Sequence, residues 1–271
     1  MKENIKAFLP PVFVNVLSSV LGRKLEYIGR YPSFSDANVF AQQLREKQGY
    51  KGFDRQRMIE SMSKLREEEN IASRDGNNNV IASILSAALK KQAQKVSFVD
   101  LGGGGGGSFY FLNRNKFFNS FSQYSYSIFE LPEIVELGRE FFADDKLSFY
   151  TDIDEFPLET DEVLWVLILQ GVLMYLDYPF ALLEKVLKRL PFDSVILDRT
   201  AFSRDETMFF KVQKIPKSLG YGANPWSVFS KQAVIDFFQK QGFQLFDDFD
   251  DPLDGDTHDF VMRGLSFVRM S

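Results

Sequence analysis

Residues 96–108 read VSFVDLGGGGGGS, and this stretch decides the fold of the chain. The pattern predicts a buried strand that ends near Asp100, six glycines, and a helix that runs to about Asn115. Glycine lets the backbone turn sharply and places no side chain between the peptide and a ligand. The helix that follows presents its first N–H groups to a polar ligand. The stretch therefore predicts a strand–loop–helix unit that binds a ligand at its turn.

The pattern on either side of this stretch alternates between strands and helices. Short apolar runs predict strands at 96–101, 124–129, 147–150, 163–169, 194–197, 243–246 and 265–268. Helical stretches between them are predicted at 132–142, 179–190 and 231–241. Such alternation implies a mostly parallel sheet covered on both faces. The last two strands flank a turn-rich link and predict an antiparallel hairpin at the edge of the sheet.

The N-terminal third has a different character. Residues 30–95 are polar with helical periodicity, for example over Asp36–Lys47, where Gly49 ends the pattern. We therefore predict an N-terminal helical cap at 1–90 and a doubly wound α/β domain at 91–271. The apolar run 5–21 is interrupted by Pro10-Pro11 and predicts neither a membrane-spanning helix nor a signal peptide. It is interpreted as a helix docked on its own domain or a partner, with a helix on a membrane surface as the alternative.

Composition excludes several classes of function. The 32 basic and 37 acidic side chains give a net charge of −5, which argues against binding to nucleic acid. The sequence has no cysteine and one histidine, His258, so no metal site is predicted. The lack of cysteine suits a cytoplasmic location. Oligomeric state is not readable from the sequence.

The six glycines fit two different nucleotide-binding patterns. Gly102, Gly104 and Gly107 fit the G-x-G-x-x-G of dinucleotide-binding proteins. Asp100, Gly102, Gly104 and Gly106 fit the D-x-G-x-G-x-G loop of methyltransferases. The position of Asp100 favours the second pattern, because its carboxylate attracts an ammonium group and gains nothing beside a pyrophosphate.

Further candidate residues follow the next strands. Glu130 ends the second strand, where an acid binds ribose hydroxyls in either pattern. After the third strand, Asp152 is placed to accept from an adenine amino group and Ile153 to cover the ring. Gln170 and Gly171 follow the fourth strand and are expected to line the site, since ligands bind beyond the carboxyl ends of such strands. The alternative for each is a turn residue, a helix cap or an ordinary connection.

Residues 96–104 resemble the first motif of class I S-adenosylmethionine-dependent methyltransferases, and Glu130-Leu131-Pro132 resembles the second. The wider layout resembles a bacterial family of methyltransferases with no assigned substrate, through the stretches 31–34, 49–50, 74–76, 199–200 and 241–243. The resemblance implies a Rossmann-like seven-stranded sheet whose last strand is antiparallel. It also implies that Asp100, Gly102 and Gly104 hold the methionyl part of the cofactor. Glu130 would then hold the ribose and Asp152 the adenine.

The sequence indicates fewer residues for binding the methyl acceptor than for binding the cofactor. Arg74 is a candidate partner for the cofactor carboxylate, with a solvated turn as the alternative. Asp198 and Arg199 are expected to end the fifth strand at the mouth of the site, and Tyr175 to line an acceptor pocket. Their alternatives are a rim ion pair and ordinary core packing. The hypothesis is a methyltransferase acting on a small molecule or glycan, with a nicotinamide-dependent oxidoreductase or a non-catalytic nucleoside-binding module as alternatives.

Overall fold

The computed structural model describes the chain in six ranges, and the side chains of residues 75–79 and 90 are not part of that description. The ranges are 25–50, 52–67, 75–157, 163–215, 222–250 and 257–270. The predicted helix at 5–21 lies outside the described residues. Within the six ranges, no helix is both long and apolar enough to cross a bilayer.

Ten strands, seven α-helices and three short 3₁₀ helices lie within these ranges. The strands are β1 (Glu26–Tyr31), β2 (Lys95–Leu101), β3 (Gln123–Phe129), β4 (Leu147–Tyr150), β5 (Leu164–Gln170), β6 (Ser194–Ser203), β7 (Phe209–Ile215), β8 (Gly222–Val228), β9 (Phe243–Asp250) and β10 (Phe260–Arg269). The helices are α1 (Phe34–Gln48), α2 (Arg55–Glu67), α3 (Asp75–Lys91), α4 (Gly107–Arg114), α5 (Pro132–Phe141), α6 (Pro179–Arg189) and α7 (Lys231–Lys240).

The larger sheet has seven strands in the order β4-β3-β2-β5-β6-β10-β9. Strands β2 to β6 pair in parallel, and β10 is antiparallel to both of its neighbours. The chain reverses its direction of winding between β2 and β5, which is where open α/β sheets bind ligands. The prediction of a Rossmann-like, mostly parallel sheet with an antiparallel last strand is confirmed.

Alternation along the central strands divides the core into two layers. Side chains from Val99, Trp165 and Leu167 pack on one face of the sheet, while Phe98 and Tyr126 pack on the other. The second layer also receives apolar side chains of α2 and α3. Strand β5 is buried along its length except at Gln170, as expected for a central parallel strand.

A second, three-stranded antiparallel sheet was not predicted. Its order is β1-β7-β8, and α1 packs against it through Ala37 and Ala41. Strand β1 pairs with β7 from Glu26↔Lys214 to Tyr31↔Phe210, far apart in sequence, so local periodicity carries no signal for it. Strand β8 contains Pro225, which argues against a central strand but is tolerated at this edge position. The division of the chain at residue 90 stays a prediction.

The fifth predicted strand ends too early. Strand β6 continues to Ser203 because it stays paired with β10 beyond the end of the parallel strands. Asp198 and Arg199 therefore lie inside a strand, and the prediction that they end it is wrong. The register shifts where Gly264 stands opposite this pair, and Arg199 takes a φ of +50°. This is a β-bulge, which re-aims side chains within a ladder.

Candidate functional site

A cavity of about 210 Å³ opens at the carboxyl ends of β2, β3 and β4. Most of its walls are apolar, with a few polar groups, as is usual for sites that bind small ligands. The lining residues are Val99, Leu101, Gly102, Phe129, Glu130, Leu131, Thr151, Asp152, Ile153, Val172, Leu176, Leu182, Lys185 and Val186. Five of the predicted cofactor residues are among them: Gly102, Glu130, Leu131, Asp152 and Ile153.

The glycine loop is held by close packing at its start. The backbone N–H of Gly102 donates to the carbonyl of Phe129 at 2.8 Å, which joins the loop to the end of β3. A Cβ on Gly102 would collide with Val172, and one on Gly103 would lie 2.7 Å from Cγ of Asp100. Only glycine fits these two places.

Two other glycines of the loop, Gly104 and Gly106, were predicted to contact the cofactor. Both take positive φ angles, and Gly106 is the N-cap residue of α4.

The carboxylate of Glu130 connects the loop to the cavity. Its Oε1 accepts the backbone N–H of Gly104 at 3.2 Å, and its Oε2 accepts that of Leu131 at 2.8 Å. A carboxylate has about four lone-pair sites, so each oxygen still has one for a ligand hydroxyl. Burial raises the pKa of Glu130, and the two N–H donors oppose that shift.

Asp100 lies beneath the glycine loop and is 1% exposed. The Tyr126 hydroxyl donates to its Oδ2 at 2.7 Å, while Oδ1 has no hydrogen-bond partner within the described ranges. Burial raises the pKa of Asp100 to about 7, the Tyr126 hydrogen bond lowers it, Glu130 raises it and Arg199 lowers it. Because Asp100 shares a strand face with Phe98, its carboxylate points away from the cavity wall formed by Val99 and Leu101.

Asp152 and Ile153 have contrasting surroundings. Ile153 is buried in the cavity wall, whereas half of the Asp152 side chain is exposed. Asp152 Oδ1 accepts from Lys185 Nζ at 2.8 Å and from the Asp154 N–H at 3.0 Å. The hydrogen bond from Lys185 holds the pKa of Asp152 below its usual value. Asp152 is therefore an ionised group at the cavity mouth with a lysine as its partner.

Gln170 belongs to a buried polar network on the other face of the sheet. Its Oε1 accepts from Ser108 Oγ and its Nε2 donates to Asp198 Oδ2, both at 2.6 Å. Strand alternation puts Gln170 on the α4 side, so Val172 takes its place in the cavity wall. Gly171 has a φ of +66° and donates its N–H to the Asp198 carbonyl at 2.8 Å.

The three candidate catalytic residues are engaged with other groups. Asp198 and Arg199 are both buried, and the Arg199 N–H donates to Asp198 Oδ1 at 2.9 Å. The Tyr175 hydroxyl donates to Gln213 Oε1 at 2.9 Å, and its ring meets Trp226 edge-on at 4.9 Å. Tyr175 thereby connects the end of β5 to the small sheet. Arg74 lies outside the described residues.

Sequence reasoning missed Tyr126, Ser108, Val172 and Lys185. Tyr126 and Ser108 lie beside the predicted acid and loop, but a tyrosine within a strand is indistinguishable from a core ring until its hydroxyl has a partner. Lys185 comes from α6, more than 30 residues from the acid it binds. Within the described residues, no group of three or more His, Cys, Asp or Glu side chains is placed to hold a metal ion.

Comparison with known proteins finds similarity at the level of the fold. No protein-family model matches the sequence, and a search of curated proteins gives no match. Among solved structures, the glycopeptide N-methyltransferase MtfA with sinefungin is 13% identical, with a TM-score of 0.46 over 79% of this chain and 96% of that one. A S-adenosylmethionine-dependent methyltransferase from Clostridium acetobutylicum is 10% identical, with a TM-score of 0.44 over 78% of this chain and 98% of that one.

CalS10, an amino pentose methyltransferase from Micromonospora echinaspora solved with S-adenosylmethionine, is 14% identical. Its TM-score is 0.45, over 81% of this chain and 98% of that one. At such identities and TM-scores, the likeness carries no argument about activity. The fold class follows instead from the strand order and the antiparallel β10, which define a Rossmann-like sheet with a ligand cavity at its switch point.

Proposed function

We propose that this chain is a S-adenosylmethionine-dependent methyltransferase that acts on a small-molecule or glycan-type acceptor. The observation that carries the proposal is Glu130, which holds the glycine loop through Gly104 and keeps a free lone pair on each oxygen above the cavity. Two adjacent ribose hydroxyls match that acceptor pair. Leu131 and Ile153 contribute apolar side chains to the lining, which suits an adenine ring.

The surroundings of the loop favour an aminoacyl nucleoside over a dinucleotide. A pyrophosphate needs N–H groups and positive charge, but the side chains nearest to Gly105 are Met62 and Leu65 of α2, both apolar. Beneath the loop lies the acid Asp100, with one oxygen unpartnered within the described ranges. An acid there suits the ammonium group of a methionyl moiety. The open cavity favours ligand binding over a module whose site is filled by its own side chains.

The residues would divide the cofactor between them. Asp100 and the loop would hold the aminoacyl part, Glu130 the ribose, and Leu131, Ile153 and Asp152 the adenine. When bound, the cofactor supplies an electrophilic methyl group on sulfur. Alignment of a nucleophile with such a group lowers the barrier by several kcal/mol, with an upper range of about 7–11. The engaged states of Asp198, Arg199 and Tyr175 fit transfer that depends on positioning, and no catalytic base is assigned.

Calorimetric titration with S-adenosylhomocysteine and S-adenosylmethionine tests the proposal. We expect both to bind, and Glu130→Gln to weaken binding about tenfold or more, because a hydrogen bond to a charged group contributes about 1.5–3 kcal/mol. Glu133→Gln, an exposed acid on α5, is the matched control and should leave affinity unchanged. No binding of either compound by the wild-type chain, or equal effects of the two substitutions, would refute the assignment.

The setting is part of the same proposal. We place the protein in the cytoplasm of a bacterium, supported by the lack of cysteine and by the resemblance of its motifs. Contact between the N-terminal segment and a membrane surface remains a proposal that lies outside the described residues. Reaction of the purified chain with labelled cofactor and bacterial small-molecule extracts would identify the acceptor class.

A further inference from the structure

A buried network of side-chain hydrogen bonds runs beneath the glycine loop and is not part of the cavity wall. The Tyr126 hydroxyl donates to Asp100 Oδ2 and has Ser108 of α4 beside it. Ser108 Oγ donates to Gln170, and Gln170 donates to Asp198. The network thus joins β2, β3, β5 and β6 at the level where the parallel strands end.

The network lacks one hydrogen bond at the end formed by Asp100. Asp100 Oδ1 has no hydrogen-bond partner within the described ranges, although the residue is 1% exposed. A buried carboxylate oxygen without a donor is costly, and more so if the group is ionised. The backbone of Gly103 lies directly against this carboxyl group, with no room for a Cβ. A donor outside the core must therefore displace the loop backbone at Gly103 to reach Oδ1.

We propose that Tyr126 is a positioning residue for Asp100, and that binding of the ammonium end of the cofactor is coupled to the loss of a proton from Asp100 to solvent. The proposal rests on the proposed function and adds a proton linkage to it. Tyr126 fixes one carboxyl oxygen, so that the other meets the incoming positive charge. The aminoacyl part carries the linkage, and the nucleoside part in the adjoining cavity does not.

The electrostatics of the cluster agree with this arrangement. Burial raises the pKa of Asp100 to about 7, so the group is largely protonated in mildly acidic solution. The groups acting on it are Tyr126 and Arg199, which lower the pKa, and Glu130, which raises it. From α4, on the same face, the neighbouring polar group is the uncharged Ser108. A bound ammonium adds a further positive charge and favours the ionised form.

The experiment compares two ligands that share a nucleoside. S-adenosylhomocysteine carries the ammonium group, whereas 5′-methylthioadenosine lacks the aminoacyl part. Titration in buffers of different ionisation enthalpy counts the protons released at each pH. We expect release of up to one proton with S-adenosylhomocysteine near pH 6, and a release that falls as the pH rises through about 7. Its affinity should fall up to about tenfold per pH unit below pH 7, while 5′-methylthioadenosine shows neither effect.

Tyr126→Phe removes the hydroxyl and keeps the buried ring, so the core packing is preserved. Loss of the donor raises the pKa of Asp100, and we expect the pH profile for S-adenosylhomocysteine to move upward by about half a unit or more. Tyr124→Phe is the control, because this ring lies on the same strand but stacks on Phe118 at 4.2 Å. Thermal unfolding of both variants reports whether the fold is retained.

The outcomes separate the inference from the proposed function. Proton release that is equal for the two ligands, or a Tyr126→Phe profile identical to that of Tyr124→Phe, overturns the inference alone. Absence of S-adenosylhomocysteine binding at every pH overturns the proposed function and the inference together. Selective release that moves in Tyr126→Phe supports both.

Discussion

Replacement of Gly102 by alanine tests the close contact between the glycine loop and the segment after β5. A Cβ built on Gly102 lies 2.8 Å from Cβ of Val172, well inside the carbon–carbon optimum of about 3.5–4.0 Å. Rotation of the valine side chain does not relieve this contact, because Cβ does not move with χ1. Overpacking of this kind costs about 1–3 kcal/mol.

The backbone adds a second cost at this position. Gly102 has a φ of +72°, where an L-residue loses about 1–2 kcal/mol. We therefore expect Gly102→Ala to lower the free energy of unfolding by about 2–5 kcal/mol in total. Gly49→Ala is the matched control: its φ is +66° and nothing lies within 4 Å of its Cβ, so it should lose about 1–2 kcal/mol.

Urea unfolding followed by the fluorescence of the buried Trp165 and Trp226 measures both variants. The double variant Gly102→Ala/Val172→Ala removes the part of the collision that involves Cγ2 of Val172 and keeps the Cβ–Cβ contact. Removal of the valine methyls should make the double variant about 1 kcal/mol or more stable than the sum of the single changes predicts. Equal destabilisation by Gly102→Ala and Gly49→Ala, or strict additivity in the double variant, would refute the close approach of loop and segment.

Two further predictions concern titrating groups. The pKa of Asp100 rises from an ordinary 3.8 to about 7 on folding, so between about pH 4 and 7 the folded state holds a proton that the unfolded state has lost. This group therefore makes the free energy of unfolding fall as pH rises through that window. Urea unfolding of Asp100→Asn should show a stability that rises relative to wild type from pH 4 to 7. A difference in unfolding free energy that does not change with pH would contradict the burial argument. Lys185→Met removes the donor that holds the pKa of Asp152 low, so a carboxyl NMR titration should show that pKa rising toward its usual value, while an unchanged titration would contradict the ion pair.

The larger sheet was readable from sequence because each of its parallel strands is a short apolar run with a local turn signal after it. The apolar run of β5 and the proline that opens α5 are examples. The boundaries of β6 and β10 were not readable, because their extra length comes from pairing with each other. Strand β1 escaped for the same reason, because it finds its partner β7 far along the chain. Strand β8 does pair with its neighbour in sequence, β7, but it contains Pro225, which argues against a strand.

The sequence by itself determined that an acid and six glycines follow a buried strand, and that Glu130 ends the next one. These features are local, because the turn after a strand and the burial pattern along it are encoded by residues adjacent in sequence. Only the tertiary structure decided which way each side chain points. Strand alternation sends Asp100 and Gln170 to the α4 face and leaves Val99 and Val172 in the cavity wall, and the partners Tyr126 and Lys185 arrive from other elements. Hydrogen bonds between distant strands and helices exist only after packing brings them together, so no pattern along the chain records them.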